Sequence, residues 1–184
     1  MIKVKKLRQA RISQGDIFRD IDFKEYVSEK SGIIEVSKIV FPLVIVLSQD
    51  CDLEQDYKNR WSKQHIKNQD KWLISVLVAP IYNVEHVYEG EHLSELKMEM
   101  TKIKKNRSPG KNLRNNEVPR YHYLNFPDDV EIVSSVIDFK HYFSVNVNYL
   151  KIIKKTNFIC QVSVLYREEI SHRFAFYLSR IGIQ

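Results

Sequence analysis

The chain has few of the residues that mark specialised classes of protein. Its 184 residues include two cysteines, five glycines and five prolines. Two cysteines cannot form a disulfide-dense scaffold, and their spacing gives no CxxC zinc pair. The low glycine and proline content excludes a collagen-like or linker-like chain. The composition therefore predicts a globular protein, and the length suits a single domain with its own core.

Long hydrophobic runs are also missing. The longest run, residues 39–47, is interrupted by Pro42, whereas a membrane-spanning helix needs about 20 apolar residues. The first residues are basic but lack the apolar stretch of a secretory signal. We therefore expect a cytoplasmic protein with no membrane partner, in which Cys51 and Cys160 are reduced thiols.

The net charge of +6 comes from one segment. Seven of the 29 basic residues and one of the 23 acidic residues lie in 102–120, so the rest of the chain is electrically balanced. Clustered cations predict contacts with nucleic-acid phosphates. On a strand, the tyrosines that follow would share a face suited to base stacking. The predicted nucleic-acid-binding residues are Lys102, Lys104, Lys105, Arg107, Lys111, Arg114, Arg120, Tyr121 and Tyr123. The alternative is a solvated loop with both tyrosines in the core.

Runs of β-branched and aliphatic residues predict strands over 33–36, 38–48, 71–80, 131–137 and 143–149. The segment 121–124 (YHYL) is a further strand candidate, and 158–164 is a strand or the start of a helix. The 38–48 run is apolar on both faces, which predicts a central strand. Its Pro42 cannot donate a ladder hydrogen bond, so we expect pairing only after it.

Helical spacing predicts a helix over 91–105 and a second helix at the C-terminus. Because helices do not regularly separate the strands, a doubly wound sheet is disfavoured. We predict a mainly β (α+β) fold, a small bent antiparallel SH3-like barrel with helical insertions and a C-terminal helix. It forms a single domain, 1–184, with insertions at about 51–70 and 84–118.

Two short motifs resemble those of the MazF/PemK-like toxins, which are small SH3-like barrels that cleave RNA. Gly15-Asp16-Ile17-Phe18 is similar to the opening "GDI" strand of that family, and residues 41–48 (FPLVIVLS) are similar to its "RPvvVlS" strand. The resemblance implies a barrel with a hydroxyl, Ser48, at a strand end. The family's arginine before the proline supports RNA cleavage, and Phe41 stands at that position here.

The turn after the central strand collects reactive side chains. Ser48, Asp50, Cys51 and Asp52 offer a hydroxyl, a thiol and two carboxylates, and the end of a strand positions such a loop rigidly. These four residues are the candidate catalytic residues: the carboxylates could act as a general base or bind a hard cation, and the thiol could act as a nucleophile. The alternative is that the aspartates cap a turn or helix and that Cys51 is a small buried residue.

The histidines show neither HxxxH nor HExxH spacing, so no metal or other cofactor is predicted. We therefore expect a nucleic-acid-binding barrel, with RNA rather than DNA as the ligand. It would be an RNA-cleaving, toxin-like or defence-associated module that uses the basic insertion. If it is an enzyme, we expect an endoribonuclease. The alternative is a non-catalytic interaction subunit that uses the 91–105 helix to bind the product of a neighbouring gene.

Overall fold

The structure, a computed structural model, describes residues 1–61 and 68–180. The strands are β1 (Val4–Lys5), β2 (Asp16–Lys30), β3 (Ile33–Val46), β4 (Ser75–Asn83), β5 (Tyr121–Leu124), β6 (Ser135–Asp138), β7 (Phe143–Asn146) and β8 (Phe158–Val162). The helices are α1 (Asp50–Arg60), α2 (Val84–Glu89), α3 (Gly110–Arg114), α4 (Val147–Asn157) and α5 (Val164–Leu178), with 3₁₀ turns at Ser94–Leu96 and Phe139–His141.

The strands form one antiparallel sheet in the order β1-β8-β2-β3-β4-β6-β5, and β7 also pairs with β4. β4 changes neighbour along its length, since its first half pairs with β7 and its second half with β6. The sheet curls into a half-barrel. The predicted mainly β, bent antiparallel fold with a C-terminal helix is thus confirmed, and β3 is central, between β2 and β4.

We expected pairing of β3 to begin only after Pro42, and this expectation is wrong. β2 and β3 form one hairpin that pairs on both sides of Pro42, with Arg19 opposite Leu43 and Ile21 opposite Phe41. The ladder skips Asp20, whose φ is 53°. A proline needs no hydrogen bond at such an irregularity, and β4 pairs with β3 only from Val44 onward.

Two apolar clusters occupy the two faces of the curled sheet. The larger cluster includes Phe18 and Val78 and is completed by Val87, Tyr88 and Leu113 from the segment between β4 and β5. This segment, predicted as an insertion, is therefore part of the core. The smaller cluster contains the apolar side of α5, with Ile170 and Phe174.

The helix predicted over 91–105 is absent, since only Ser94–Leu96 is helical there. Its apolar residues pack against the larger cluster from irregular backbone, in which Lys97 has a φ of 57°. The contact face that the alternative hypothesis placed on this helix is therefore absent as well.

The strand predicted over 143–149 ends at Asn146. The Asn146 side chain accepts hydrogen bonds from the backbone N–H groups of Asn148 and Tyr149 and starts α4, as an N-cap residue does. In the predicted 51–70 insertion, α1 covers the first part, and residues 62–67 lie outside the described residues. Among the described helices, none is long and apolar enough to cross a membrane.

Candidate functional site

In the predicted catalytic turn, Asp50 is fully engaged by the protein. Its carboxylate accepts two hydrogen bonds of 2.9 Å from the Arg11 guanidinium and one of 3.1 Å from the backbone N–H of Gln14. Arg167 lies 3.2 Å from the same carboxylate. Burial opposes ionisation of Asp50, but these partners outweigh it and lower its pKa. A carboxylate held in this way is a weak base.

The other three residues of that turn point to different surroundings. The Ser48 hydroxyl accepts a 2.8 Å hydrogen bond from the backbone N–H of Leu77, which ties the turn to β4. Cys51 is exposed, contrary to the buried alternative, and its sulfur lies 3.7 Å from the Asp52 carboxylate. Asp50 and Asp52 occupy the first turn of α1, where acidic side chains stabilise a helix. The capping alternative is not what the structure has, because the N-cap is Gln49 and makes no side-chain cap hydrogen bond; the two aspartates are acidic residues of the first turn.

Behind this turn lies a buried ion pair that the sequence analysis did not identify. The Lys154 ammonium donates 2.5 Å hydrogen bonds to the Asp16 carboxylate and to the backbone carbonyl of Arg11. Burial raises the pKa of Asp16 to about 6. Asp16 also accepts from the backbone N–H of Ser13. These contacts join the start of β2 to α4, so the pair is part of the scaffold.

The basic segment separates into paired and unpaired cations. Four of the predicted residues have protein partners: Lys102 lies 3.7 Å from Glu89, Lys105 pairs with Glu85, Arg114 donates to the Tyr88 hydroxyl, and Arg120 pairs with Asp138. Three exposed cations have no side-chain partner within the described parts of the chain, namely Lys104, Arg107 and Lys111. Only these three are free to meet a phosphate without breaking an existing contact.

The two tyrosines that follow the segment do not form an open stacking platform. Tyr121 is 6% exposed, and Tyr123 packs against the larger core cluster. Burial raises the pKa of Tyr121 to about 12. The core alternative for this pair thus describes their placement.

A groove that the sequence analysis missed runs between the sheet and the segment 91–98. It consists of two adjoining cavities of about 440 and 320 Å³. Both are lined by Phe41, Tyr82 and Leu93, which makes them parts of one depression. The smaller cavity has an aromatic and apolar lining with Lys140 and His141 at one side. Such a lining suits a flat, partly apolar ligand.

Next to this groove, Asp138 is held between Arg120 and His141. Asp138 is fully buried, and its carboxylate accepts hydrogen bonds of 2.8 and 2.6 Å from the Arg120 guanidinium. Nδ1 of His141 lies 2.8 Å from Oδ2, the same oxygen that a terminal nitrogen of Arg120 bonds, but its geometry does not make a hydrogen bond. Burial opposes ionisation of Asp138, but Arg120 and His141 outweigh it and hold its pKa below the usual value.

This arrangement determines what His141 can do. A carboxylate beside Nδ1 favours the tautomer that carries its proton there, which leaves Nε2 as the proton acceptor. His141 is about a quarter exposed and lines the smaller cavity. The histidine can therefore take a proton from a ligand in the groove, with Asp138 and Arg120 as positioning residues.

Two further polar side chains near Asp138 lack partners. The Tyr82 hydroxyl and both ring nitrogens of His92 are buried without a hydrogen bond. Burial lowers the pKa of His92 and raises that of Tyr82. Buried polar groups without partners are rare and costly. The part of the groove near Asp138 therefore has more unmade hydrogen bonds than the turn at Asp50.

A sequence signal for part of this site existed. Asp138 directly follows the predicted strand 131–137, and His141 lies three residues later; neither HxxxH nor HExxH spacing describes such a pair. Within the described residues, no group of three or more histidine, cysteine or acidic side chains could hold a metal ion. No protein-family model matches the chain, and no curated protein matches it either.

Proposed function

We propose that the chain binds single-stranded RNA in the groove and cleaves it, with His141 as the general base. The observation that carries this proposal is the histidine beside the groove, oriented by the buried Asp138–Arg120 pair. A base oriented by a buried carboxylate is a recurrent catalytic arrangement. The proposal moves the chemistry from the Ser48–Asp52 turn to the far end of β6.

The lining of the groove supports RNA as the ligand. Phe23, Phe41 and Phe143 line the smaller cavity and can contact the faces of bases, which is the sequence-tolerant part of single-strand recognition. Lys140 lies beside His141 at the same cavity and can neutralise a phosphate. The exposed cations Lys104, Arg107 and Lys111 follow the groove-lining segment 91–98 in sequence and offer further charges for phosphate contacts.

The proposed reaction is an intramolecular transesterification. Nε2 of His141 accepts the proton of a ribose 2′-hydroxyl, the 2′-oxygen bonds to the adjacent phosphorus, and the bond from phosphorus to the 5′-oxygen breaks. The imidazolium then returns its proton to the 5′-oxygen. The products are a 2′,3′-cyclic phosphate and a 5′-hydroxyl end, and neither water nor an oxidant is consumed. This choice of nucleophile requires RNA, because DNA lacks the 2′-hydroxyl.

The test compares two histidine variants on a single-stranded RNA with fluorescent ends. His141→Gln is expected to lower the cleavage rate by about 10²–10⁴-fold, the contribution of a positioned general base. His172→Gln changes an exposed histidine on α5 and should leave the rate unchanged. An RNA with 2′-O-methyl groups should bind and resist cleavage. RNA that stays intact with folded wild-type protein, with and without Mg²⁺, would exclude the nuclease; equal rates in the two variants would exclude His141.

A second candidate function is a subunit that binds another protein. Leu165 and Phe176 on α5 are 73% and 60% exposed, and exposed apolar side chains of this size favour a protein contact. This candidate predicts that the chain co-purifies from native cells with one partner, such as the product of a neighbouring gene. Replacing both residues by Glu should release that partner while the chain keeps its wild-type circular dichroism spectrum. Recovery of the chain alone would contradict it.

A further inference from the structure

The hairpin of β2 and β3 extends beyond the core as an arm, residues 24–38. Up to Phe23 and Ile39 the hairpin packs against the larger core cluster. Past that point, β2 and β3 pair with each other and with no other described strand. An isolated two-stranded hairpin is marginally stable in water. Because β2 has 15 residues and β3 has 14, we expect a further contact to stabilise the outer part of this hairpin.

The outer face of the arm, which points away from the core cluster, can be read from the strand register. Four cross-strand pairs share this face, in order from the tip to the base: Glu29 with Ile34, Val27 with Val36, Lys24 with Lys38, and Asp22 with Val40. Phe23 and Ile39 lie on the opposite face, with the core.

The apolar members of the outer face are strongly exposed. Ile34 is 68% exposed, Val27 61%, Val36 50% and Val40 43%. β-branched side chains on a free strand surface are a recognised association site. A single exposed apolar residue would need no explanation, but four on one face of one arm do.

We propose that the outer face of the arm binds the outer face of the same arm in a second copy of this chain. In an antiparallel face-to-face arrangement with the two-fold axis at the Val27–Val36 pair, each of these valines meets its own copy. The register then places Glu29 of one copy opposite Lys24 of the other, twice in the dimer. Ile34 meets the aliphatic part of Lys38, whose ammonium is already paired with Asp22 at 3.0 Å.

This charge pattern is what selects a second copy over other occupants. The arm, residues 24–38, holds three lysines and three glutamates, so it has no excess charge that would attract a nucleic acid or an anionic membrane. Lys24 is exposed and has no ion-pair partner within the described chain, whereas its opposite in the dimer is an acid. A two-fold axis makes this complementarity automatic, since each contact occurs twice.

In the antiparallel arrangement, the turn of the partner's arm lies over the base of this arm, at Asp22 and Val40. The inference itself is independent of the proposed RNA cleavage, because it rests on the arm alone.

The test measures the mass of the purified full chain by analytical ultracentrifugation over a concentration series. Wild-type protein should dimerise. Val36→Asp, Glu29→Lys and Lys24→Glu should each raise the dimer dissociation constant roughly tenfold or more, and the double variant Glu29→Lys with Lys24→Glu should recover most of it. Glu168→Lys on α5 has the same charge change as Glu29→Lys and should have no effect. Because these side chains are exposed, the variants should keep the wild-type circular dichroism spectrum.

A monomeric wild-type chain would overturn the proposal and would favour a different protein on the arm. A dimer that survives Val36→Asp would place the interface elsewhere. Failure of the double variant to recover dimerisation would exclude the proposed pairing of Glu29 with Lys24.

Discussion

Two aspartates in this protein each accept two hydrogen bonds from one arginine, yet their surroundings differ. Asp50 is bound by Arg11 through two hydrogen bonds, and Asp138 is bound by Arg120 through two. Around Asp50 the remaining partners are a backbone N–H and a second arginine, Arg167. Around Asp138 lie a histidine that faces a groove and polar groups without partners.

The difference shows how an ion pair that holds the fold can be told from one that serves a site. Both pairs order their arginine, and both lower the pKa of the carboxylate. Of the two pairs, only the one at Asp138 lies beside a histidine that lines a cavity, His141. Buried polar atoms without partners cost stability, and an ion, a water or a catalytic role can account for them. The comparison therefore assigns Asp50 to the scaffold and Asp138 to the groove.

The largest expected effect is the loss of stability on Asp50→Asn. This change leaves the Arg11 and Arg167 guanidinium groups without their carboxylate in a partly buried place. We expect unfolding free energy to fall by about 3 kcal/mol, at the lower end of the range for breaking a buried pair, since Asp50 is partly exposed. Urea unfolding followed by circular dichroism measures it.

Asp52→Asn is the matched control, because Asp52 is exposed and lies two positions further along the same helix; its effect should stay within about 0.5 kcal/mol. RNA cleavage by folded Asp50→Asn should equal that of the wild type. A folded Asp50→Asn protein that no longer cleaves RNA would contradict the assignment of Asp50 to the scaffold.

Features formed by residues close together in the sequence could be predicted, whereas features formed by residues far apart in the sequence could not. The strand at 121–124 was predicted with the bounds that the structure has, because its two tyrosines favour a strand locally. The collection of polar groups at 48–52 was visible as well, since it is local. The structural role of Asp50 depends on its contacts with Arg11, Gln14 and Arg167, which are distant in the sequence and which only the fold brings to it.

The groove was hidden for the same reason. Tyr82 comes from β4, His92 from the segment after α2, and Asp138 from the end of β6. They meet because β4 changes its neighbour from β7 to β6 and because the segment packs over the curled sheet. Helical spacing in 91–105 described the apolar side of that segment correctly, but the core holds it without a helix.

A smaller effect tests whether every unpartnered polar atom marks function. His122 is almost fully buried on the side of the smaller core cluster, beside Phe139, and its Nδ1 has no hydrogen bond. Burial lowers its pKa to about 3. The unfolded chain binds this proton at about pH 6.5 and the folded protein does not. The free energy of unfolding therefore has its full value, as far as His122 is concerned, above pH 6.5, and it falls as the pH is lowered from 6.5 toward 3.

We expect this loss to be about 2 kcal/mol at pH 5, from roughly 1.4 kcal/mol per pH unit in that window. Urea unfolding at pH 7, 6 and 5 should show a steeper decline for wild type than for His122→Leu, which has no proton to gain. His172→Leu, at an exposed histidine, should decline like the wild type. Equal declines in wild type and His122→Leu, or loss of RNA cleavage in folded His122→Leu, would weaken the distinction between core and groove.

The smallest expected effect is on the salt dependence of RNA binding, and it distinguishes binding by the groove from binding by the basic segment. If Lys104, Arg107 and Lys111 contact phosphates, replacing all three by Gln should reduce the slope of log binding constant against log salt by about 2, at roughly 0.7 per phosphate on a single strand. Fluorescence anisotropy with a 2′-O-methyl RNA measures binding without cleavage. Replacing Lys3, Lys5 and Lys155, which are also exposed, removes the same charge from elsewhere and should leave the slope unchanged. Equal slopes for both triple variants would mean that the groove binds RNA without this segment, and the net charge would then only speed encounter.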